Sequence, residues 1–517
     1  ENSSLYYSDY TKETFDKAYR DYWNENTERK ASFEYTRTIQ QQHSLQLEYT
    51  DTFKEKHNLS AMVGGEYFEN QYLQYKGTAD GAPFDQIPTL NVSGRDNMWS
   101  YSYRQGYRIA SGFARVTYDY ERRYLFTAVA RYDGISKLSD NRWGFFPGVS
   151  AGWNMHREAF FEPLSKVVSN LKLRASWGKT GYDNLALENT EGSYEAGKNY
   201  AGEAGILNTV LMNRNLLWEE TTSTDLGLEA GFLNNRINLS FDAYYKKTTN
   251  RLLNENLWSE TGFASIKSNF GSLNTKGVEI AINAIPIQTH DFRWNIDANF
   301  SIWRTTIGKL PNNGADKNRT GGGIIFDPKL GKYVEVGGFA EGERFGSRFA
   351  YQLDGVYVTD EDAANAPYDE GVSSGWLGKG KCAGDAIWRD VDGNGIINSK
   401  DMVFVGYIHP DKMGSFNNTF TYKGFTLNVY LDFALGHSIS NGYLQRQMCN
   451  FMNGNTSLPA EILKCWNVGD DPSKAKYARF SGNDSDELNK NFRDNSDVFT
   501  QKADYLCIRE ISLQYAL

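Results

Sequence analysis

Residues 237–243 read INLSFDA, and the fold class follows from this pattern. Apolar and polar residues alternate in it without a break, which is the period-two pattern of a β-strand with one apolar face. The same alternation returns at 278–284, 294–300, 425–433 and 511–517. The polar positions hold mostly Asn, Asp, Glu and Ser. We therefore predict an all-β protein whose strands each have one apolar and one polar face.

Composition excludes two other classes of protein. The chain has 517 residues and a mean hydropathy of −0.59. No run in it approaches the roughly 18 to 20 apolar residues that a membrane helix needs. The net charge is −9 and the basic residues are interspersed with acidic ones, so nucleic-acid binding is disfavoured. Because alternating strands average out in hydropathy, a transmembrane β-barrel is compatible with these values.

A soluble β-sandwich would also alternate, but connection lengths favour a barrel. Residues 232–236 and 287–291 are predicted to be tight turns, whereas 184–216, 310–350 and 436–500 are long, polar and rich in Gly and Asn. Short turns on one side and long loops on the other are typical of outer-membrane barrels. The predicted strands are also roughly the 9 to 11 residues that cross a bilayer at a tilt.

Aromatic residues, which form 15% of the chain, cluster at predicted strand ends. Tyr118, Tyr120 and Tyr124 form one such group, and Phe420 and Phe425 belong to another. Interfacial girdles of aromatic side chains flank the apolar band of outer-membrane barrels. The fold class that we predict is therefore a transmembrane antiparallel β-barrel with long extracellular loops.

One loop has the spacing of a calcium site. Residues 390–401 read DVDGNGIINSKD, with oxygen donors at positions 1, 3, 5, 9 and 12, Gly at position 6 and a main-chain carbonyl at position 7. The predicted ligands are Asp390, Asp392, Asn394, Ile396 through its carbonyl, Asn398 and Asp401. A structural Ca²⁺ in an extracellular EF-like loop is the favoured interpretation. An Asx-rich turn without an ion is the alternative.

Aromatic residues in the predicted loops are candidates for substrate contact. Their faces, flanked by Asn and Asp, suit sugar rings or extended peptides, although loop-on-loop packing would use the same residues. The candidates are Tyr194, Tyr200, Trp258, Phe263, Trp376, Tyr443, Phe451 and Trp466.

The chain has four cysteines, which is too few for a disulfide scaffold. Cys449 and Cys465 would pair across a loop in an oxidising compartment. Free thiols are the other interpretation, and the sequence leaves both open.

Several segments together resemble the SusC/RagA-like family of TonB-dependent outer-membrane transporters. Each is short, but they occur in the order found in that family from about residue 30 to 517. Examples are FARVTYDYERRY at 113–124, LKLRASWG at 171–178, LWEETT at 217–222 and NTKGVE at 274–279. Tyr132 and Ile135 depart from the residues that are common in the family at those places.

This resemblance implies a 22-stranded plugged barrel, of which residues 1–517 are the barrel portion without the plug and the terminal strands. It further implies an outer-membrane location in a Gram-negative cell of the Bacteroidetes type, among outer-membrane lipid. The implied partners are a SusD-like surface lipoprotein lid and the TonB–ExbB–ExbD system, which acts through the plug. The implied substrate is an oligosaccharide or a peptide, and no reaction is catalysed.

Three other functions remain as alternatives. A siderophore or cobalamin importer would share the architecture without the lipoprotein lid. A passive porin would lack the plug. A soluble glycan-binding β protein or hydrolase would be recovered without detergent.

Overall fold

The computed structural model describes residues 2–20, 25–183, 185–186, 188–370, 381–449, 459–467, 469–471, 475–479, 491–493 and 495–516. Fourteen strands form one antiparallel sheet in which hydrogen-bonded neighbours follow chain order. They are β1 (Asn2–Phe15), β2 (Ala31–Phe53), β3 (His57–Ala79), β4 (Met98–Tyr120), β5 (Tyr124–Ile135), β6 (Trp143–Asn154), β7 (Val168–Tyr182), β8 (Glu219–Phe232), β9 (Ile237–Asn256), β10 (Ser265–Gln288), β11 (Phe292–Lys309), β12 (Lys412–Tyr422), β13 (Phe425–Leu435) and β14 (Tyr505–Tyr515).

Shorter elements lie in the connections between these strands. The short strands are Tyr19–Arg20, Glu25–Asn26, Ser193–Tyr200, Glu203–Val210, Gly323–Asp327, Lys332–Val336, Ser347–Ala350, Leu353–Val356, Tyr368–Asp369, Ala386–Trp388, Ile396–Ile397, Val403–Tyr407, Ser438–Ser440 and Thr500–Lys502. The α-helices are Glu188–Glu191, Asp360–Ala364 and Gly442–Cys449. The 3-10 turns are Leu90–Val92, Arg95–Asn97, Met155–Arg157, Ala159–Leu164, Ser259–Thr261, Asp316–Asn318, Ser399–Asp401 and Ala460–Lys464.

The chain divides into two compact units. The first comprises Glu1–Asn154, Arg174–Thr224 and Thr249–Asn269, and the second comprises Met155–Leu173, Asp225–Thr248 and Phe270–Leu517. Among the described residues, no helix is both long and apolar enough to cross a membrane.

In the first unit, the strand register separates apolar from polar residues. One row across β2 to β6 is apolar and consists of Leu47, Val63, Ala114, Ala130 and Pro147. Leu47 and Val63 are 67% and 57% exposed, so this apolar face is open to its surroundings. On the other face, Arg131 bonds to Glu66, Ser111 and Asp133. An apolar face that no protein covers is what lipid requires of a barrel strand.

The second unit repeats this separation. Its apolar row runs across β10 to β14 through Ile282, Ala298, Phe416, Leu431 and Ile508. The next row is polar for most of its length and contains Asn283, Asp297, Asn417, Tyr430 and Glu510. Because successive side chains of a strand point to opposite faces, these two rows lie on opposite sides of the sheet.

Aromatic side chains stack at strand ends in both units. In the first unit, Tyr124 stacks on Tyr120 and on Trp153, next to the tight turn that joins β4 to β5. In the second, Trp294 stacks on Phe420, close to the turn that joins β12 to β13. These groups have the composition and the position of an interfacial girdle.

Connection lengths alternate along the chain, as predicted. The turns at 233–236 and 289–291 are tight, and residues 183–218 and 436–504 form long connections. The predicted 310–350 loop is only the start of a longer connection, since β12 begins at Lys412. No strong strand pattern occurs between 351 and 411, so the prediction understates the length of this connection.

Several strands are longer than predicted, whereas β12, β13 and β14 have 11 residues each. β2, β3 and β4 each have 23 residues, although roughly 9 to 11 suffice to cross a bilayer. At about 3.3 Å per residue such a strand is roughly 75 Å long. These three strands therefore project well beyond the membrane on the side of the long connections.

We expect Leu47→Arg to destabilise the protein, because Leu47 belongs to the exposed apolar face. Arginine near the middle of a lipid-facing strand costs about 2–4 kcal/mol of unfolding free energy. The matched control is Gln46→Arg, one residue away on the polar face. Urea unfolding in lipid bilayers would measure both. Equal losses in the two variants would contradict the assignment of faces.

Candidate functional site

The 310–411 connection folds into a structure of its own. Ser347–Ala350 pairs with Val403–Tyr407, and Leu353–Val356 pairs with Ala386–Trp388. These short strands enclose a hydrophobic core that also receives the side chains of Trp466 and Ala478. The buried members of this core, here called the loop core, are Val356, Ala386, Trp388, Ile397, Trp466 and Ala478.

Residues 390–401 lie against the loop core and bring three carboxylates together. Asp390, Asp392 and Asp401 each offer an oxygen within 4.8 Å of the others. Gly393 and Gly395 have φ of +71° and +77°, the left-handed region that favours glycine. Asp390 accepts hydrogen bonds from both of these glycine N–H groups, each at 2.8 Å. The loop therefore curls around its own acidic side chains.

Asp401 is the buried member of this cluster, with no exposed surface. Its carboxylate accepts the N–H groups of Val391 and Asn398 at 2.9 and 2.8 Å. Burial raises the pKa of Asp401, these donors oppose the rise, and the charges of Asp392 and Asp390 add to it. A raised pKa in the folded state means that, without a cation, this carboxyl costs stability as pH rises through that pKa.

The remaining predicted ligands lie in the same loop but already have partners. The side-chain oxygen of Asn394 accepts the Ile396 N–H at 2.7 Å, and that of Asn398 accepts the Lys400 N–H at 2.9 Å. Asn398 is thus the N-cap of the turn Ser399–Asp401. Tyr333 donates to Asp392 at 2.7 Å, which raises the pKa of the Tyr333 hydroxyl.

A buried ion network, which the sequence did not reveal, underlies this loop. The residues Tyr368–Asp369 pair in parallel with Ile396–Ile397. The Asp369 carboxylate then binds Lys381 at 2.9 Å and Arg493 at 2.6 Å. All three side chains are at most 9% exposed. Buried charges are tolerated when they are paired in this way.

A second buried acid, Asp385, links the connection to Arg479 and Asn491. It binds Arg479 at 2.5 Å and Asn491 at 2.9 Å. The preceding Gly384 has a φ of +86°, and a side chain there would collide with the ring of Trp466 at 2.3 Å. The Gly-Asp pair at 384–385 therefore has a packing role.

Four of the predicted substrate-contact residues lie at the surface. Tyr194 and Tyr200 belong to the hairpin made by Ser193–Tyr200 and Glu203–Val210, and they are 65% and 84% exposed. Trp258 is 83% exposed, in the connection between β9 and β10. Tyr443 is 74% exposed on the helix Gly442–Cys449, whose Leu444 and Met448 face a core.

The other four predicted substrate-contact residues are buried, half-buried or outside the described residues. Trp466 is only 6% exposed and belongs to the loop core, so its ring cannot serve as a face for a ligand. Its indole N–H donates to the Asp470 carbonyl at 3.2 Å. Phe263 is half-buried beside Trp258. Trp376 and Phe451 lie outside the described residues.

Cys465 is buried, and burial raises the pKa of its thiol to about 11. A thiol with so high a pKa is unreactive near neutral pH. The side chain of Cys449 lies outside the described part of the chain, so its predicted pairing with Cys465 stays a prediction.

The fold and the site define an outer-membrane β-barrel with a folded set of long connections. Its family follows from comparison with known proteins. The family described as TonB dependent receptor-like, beta-barrel matches residues 2–441, and the chain belongs to it. Its members are outer-membrane receptors and not enzymes, so the predicted fold class, location and lack of catalysis are confirmed.

Relatives confirm the resemblance to the SusC/RagA-like branch. The TonB-dependent receptor P3 of Formosa agariphila is 32% identical over 416 residues, which are 78% of this chain and 39% of the relative. The TonB-dependent receptor SusC of Bacteroides thetaiotaomicron is 31% identical over 412 residues, 77% of this chain and 37% of its own length. The chain thus spans about two fifths of the length of these relatives.

Solved structures show the same fold. The RagAB peptide transporter superposes with a TM-score of 0.73 at 20% identity, over 99% of this chain and 53% of the other. The 'open-open' state of the RagAB peptide importer gives a TM-score of 0.75 at 19% identity, over 99% and 52% of the two chains.

Trp466→Ala should destabilise the loop core by about 3–5 kcal/mol, because a large buried ring leaves a cavity. The control is Tyr443→Ala, which removes an exposed ring and should change the unfolding free energy by at most about 0.5 kcal/mol. Denaturant titration followed by limited proteolysis of residues 310–500 would report the difference. Equal stability of the two variants would contradict the packing described for Trp466.

Proposed function

We propose that the protein of which this chain is part is a TonB-dependent importer of oligosaccharides or peptides. The observation that carries this is the 31% identity to SusC across 77% of the chain. The likeness of fold to the RagAB peptide transporter supports a peptide as one of the two substrate classes. Import would draw energy from TonB–ExbB–ExbD through the plug domain that the resemblance implies.

The geometry of the connections supports recognition at the cell surface. The connections at 183–218 and 310–411 follow β7 and β11, which have 15 and 18 residues and are longer than a bilayer crossing requires. Tyr194 and Tyr200 expose their rings in the 183–218 connection, and Trp258 exposes its ring in the connection between β9 and β10. Exposed aromatic faces bind sugar rings and peptide side chains by stacking. A SusD-like surface lipoprotein would cover these connections as a lid.

Mass spectrometry of the detergent-solubilised outer-membrane complex tests this function. We expect a SusD-like lipoprotein to co-purify with the full-length protein, together with a bound oligosaccharide or peptide. A lone barrel without a lipoprotein and without such a ligand would contradict the proposal.

The same complex allows a matched comparison of variants. Trp258→Ala should weaken retention of the ligand by about two- to tenfold, the value of one aromatic contact. Phe160→Ala removes another exposed ring, in the connection between β6 and β7, and should retain the ligand as the wild type does.

The carboxylate cluster at 390–401 supports a second proposal, a structural Ca²⁺. Asp390, Asp392 and Asp401 supply hard oxygen ligands, and the Ile396 carbonyl and the Asn394 amide would complete the set. A divalent cation would neutralise the mutual repulsion that adds to the raised pKa of Asp401. Its role would be to fix the loop against Ile397 of the loop core.

Removal of calcium should lower the thermal stability of the connection. Binding at one hundred times the dissociation constant contributes about 2.7 kcal/mol, so chelation by EGTA should lower Tm by a few degrees. Asp392→Asn should abolish this response. Asp327→Asn, which changes an acid in a turn of the same connection, should keep it. An EGTA response that is absent in the wild type would contradict the calcium proposal.

A further inference from the structure

Three arginines lie together on the apolar face of the first unit. Two of them, Arg104 and Arg108, lie four residues apart on β4, so their side chains point to the same face of the sheet. The third is Arg37 of β2. Across the sheet, Leu73 pairs with Arg104 on one side and with Arg37 on the other. Arg37 of β2 and Arg104 of β4 therefore lie on either side of Leu73, about two strand spacings from each other.

The face on which they lie is the lipid-facing one. Six residues before Leu73 on β3, Tyr67 pairs with Ala110 of β4, and Ala110 pairs with Gly134 of β5. Next to this row, Tyr132 stacks on Trp143 at a centroid distance of 5.0 Å. The rows beyond contain the exposed apolar side chains of Leu45, Leu47 and Val63.

The arginines thus lie just beyond an aromatic girdle, on the side of the long connections. Glu69 is the next outward-facing residue of β3 after Tyr67, and Arg108 is its partner. A second aromatic row, with Tyr124 and Trp153, marks the other end of the apolar band. This places the arginines at the level of the headgroups of the outer leaflet.

The arginines surround an open hollow of 430 Å³. Gly106, which has no side chain, lines this hollow together with Ile39, Gln71 and Leu73. Glu69 accepts from Arg108 at 3.0 Å, and Asp9 is the cross-strand partner of Arg37. Arg104 has no ion pair within the part of the chain that the structure describes. The three cations therefore exceed the two acids, and Arg104 is available to an anion.

We propose that this hollow binds the phosphate-bearing headgroup of an outer-leaflet glycolipid. Arginine binds phosphate through two parallel N–H···O bonds, and Arg104 and Arg108 present such groups to the same space. The acyl chains of the same molecule lie along the apolar rows that begin at Tyr67 and continue through Val63 and Leu47. The proposal rests on the outer-membrane location of the family and not on what the protein imports.

A free phosphate ion offers the same headgroup chemistry without acyl chains. The combination of an arginine cluster and an adjoining exposed apolar band favours the lipid, since only an amphiphile contacts both. A lipid held here would occupy the outside of the sheet, so its loss should leave ligand retention by the connections unchanged.

Native mass spectrometry of the full-length protein in detergent, titrated with diphosphoryl lipid A, tests the proposal. Wild type should bind this lipid at least tenfold more tightly than dephosphorylated lipid A of the same acyl composition. The double variant Arg104→Gln/Arg108→Gln should lose this preference. Arg115→Gln, which removes a charge from the opposite face of β4, should keep it.

Two results would overturn the proposal. Equal binding of the phosphorylated and dephosphorylated lipids by wild type, a comparison that needs no variant, would show that phosphate is not recognised. Displacement of lipid A by millimolar inorganic phosphate, with retention of phosphate in its place, would show a site for a free anion and not for a lipid.

Discussion

Lipid offers no hydrogen-bond partner to a peptide group, and the rest of this structure depends on that constraint. Every N–H and C=O of a membrane-spanning strand must pair with a neighbouring strand. The registers of β2 to β6 run without a break, and those of β10 to β14 are interrupted only by local shifts, so both largely meet this requirement within each unit. Side chains are then free to differ between the faces, and Leu47 beside Gln46 is one of many such pairs.

β2, β3 and β4 are longer than a bilayer crossing requires, so their paired registers extend beyond the bilayer. On the side of the long connections the same registers continue into water, where polar and aromatic residues replace the apolar ones. The connections need their own source of stability there, because lipid no longer supports them. The loop core around Trp388 and Trp466, together with the paired charges of Asp369 and Asp385, provides it. A cation bound by the carboxylates of residues 390–401 would add a further local crosslink to these connections.

Alternation made the barrel strands predictable, since Leu239, Phe241 and their polar neighbours already define two faces. The outer halves of the strands were missed because QQQH at 40–43 has no period-two pattern. Local spacing also identified the loop at 390–401, whose acids are close in sequence. The contact of Asp369 with Arg493 spans 124 residues, and no local pattern reveals such a pair. Trp466 was a candidate for substrate contact because it lies in a predicted loop, whereas its core partners Val356, Ala386 and Trp388 are distant in sequence.

The most direct test of this account is a scan of spin-label accessibility along β3 in outer-membrane bilayers. Labels at 59, 61 and 63 should be accessible to oxygen, which partitions into lipid, whereas labels at 60 and 62 should not. From 69 onwards, the outward-facing labels should become accessible to a water-soluble nickel chelate instead. A scan without alternation, or without that change beyond Tyr67, would contradict the assignment of faces and the membrane boundary on which the whole account rests.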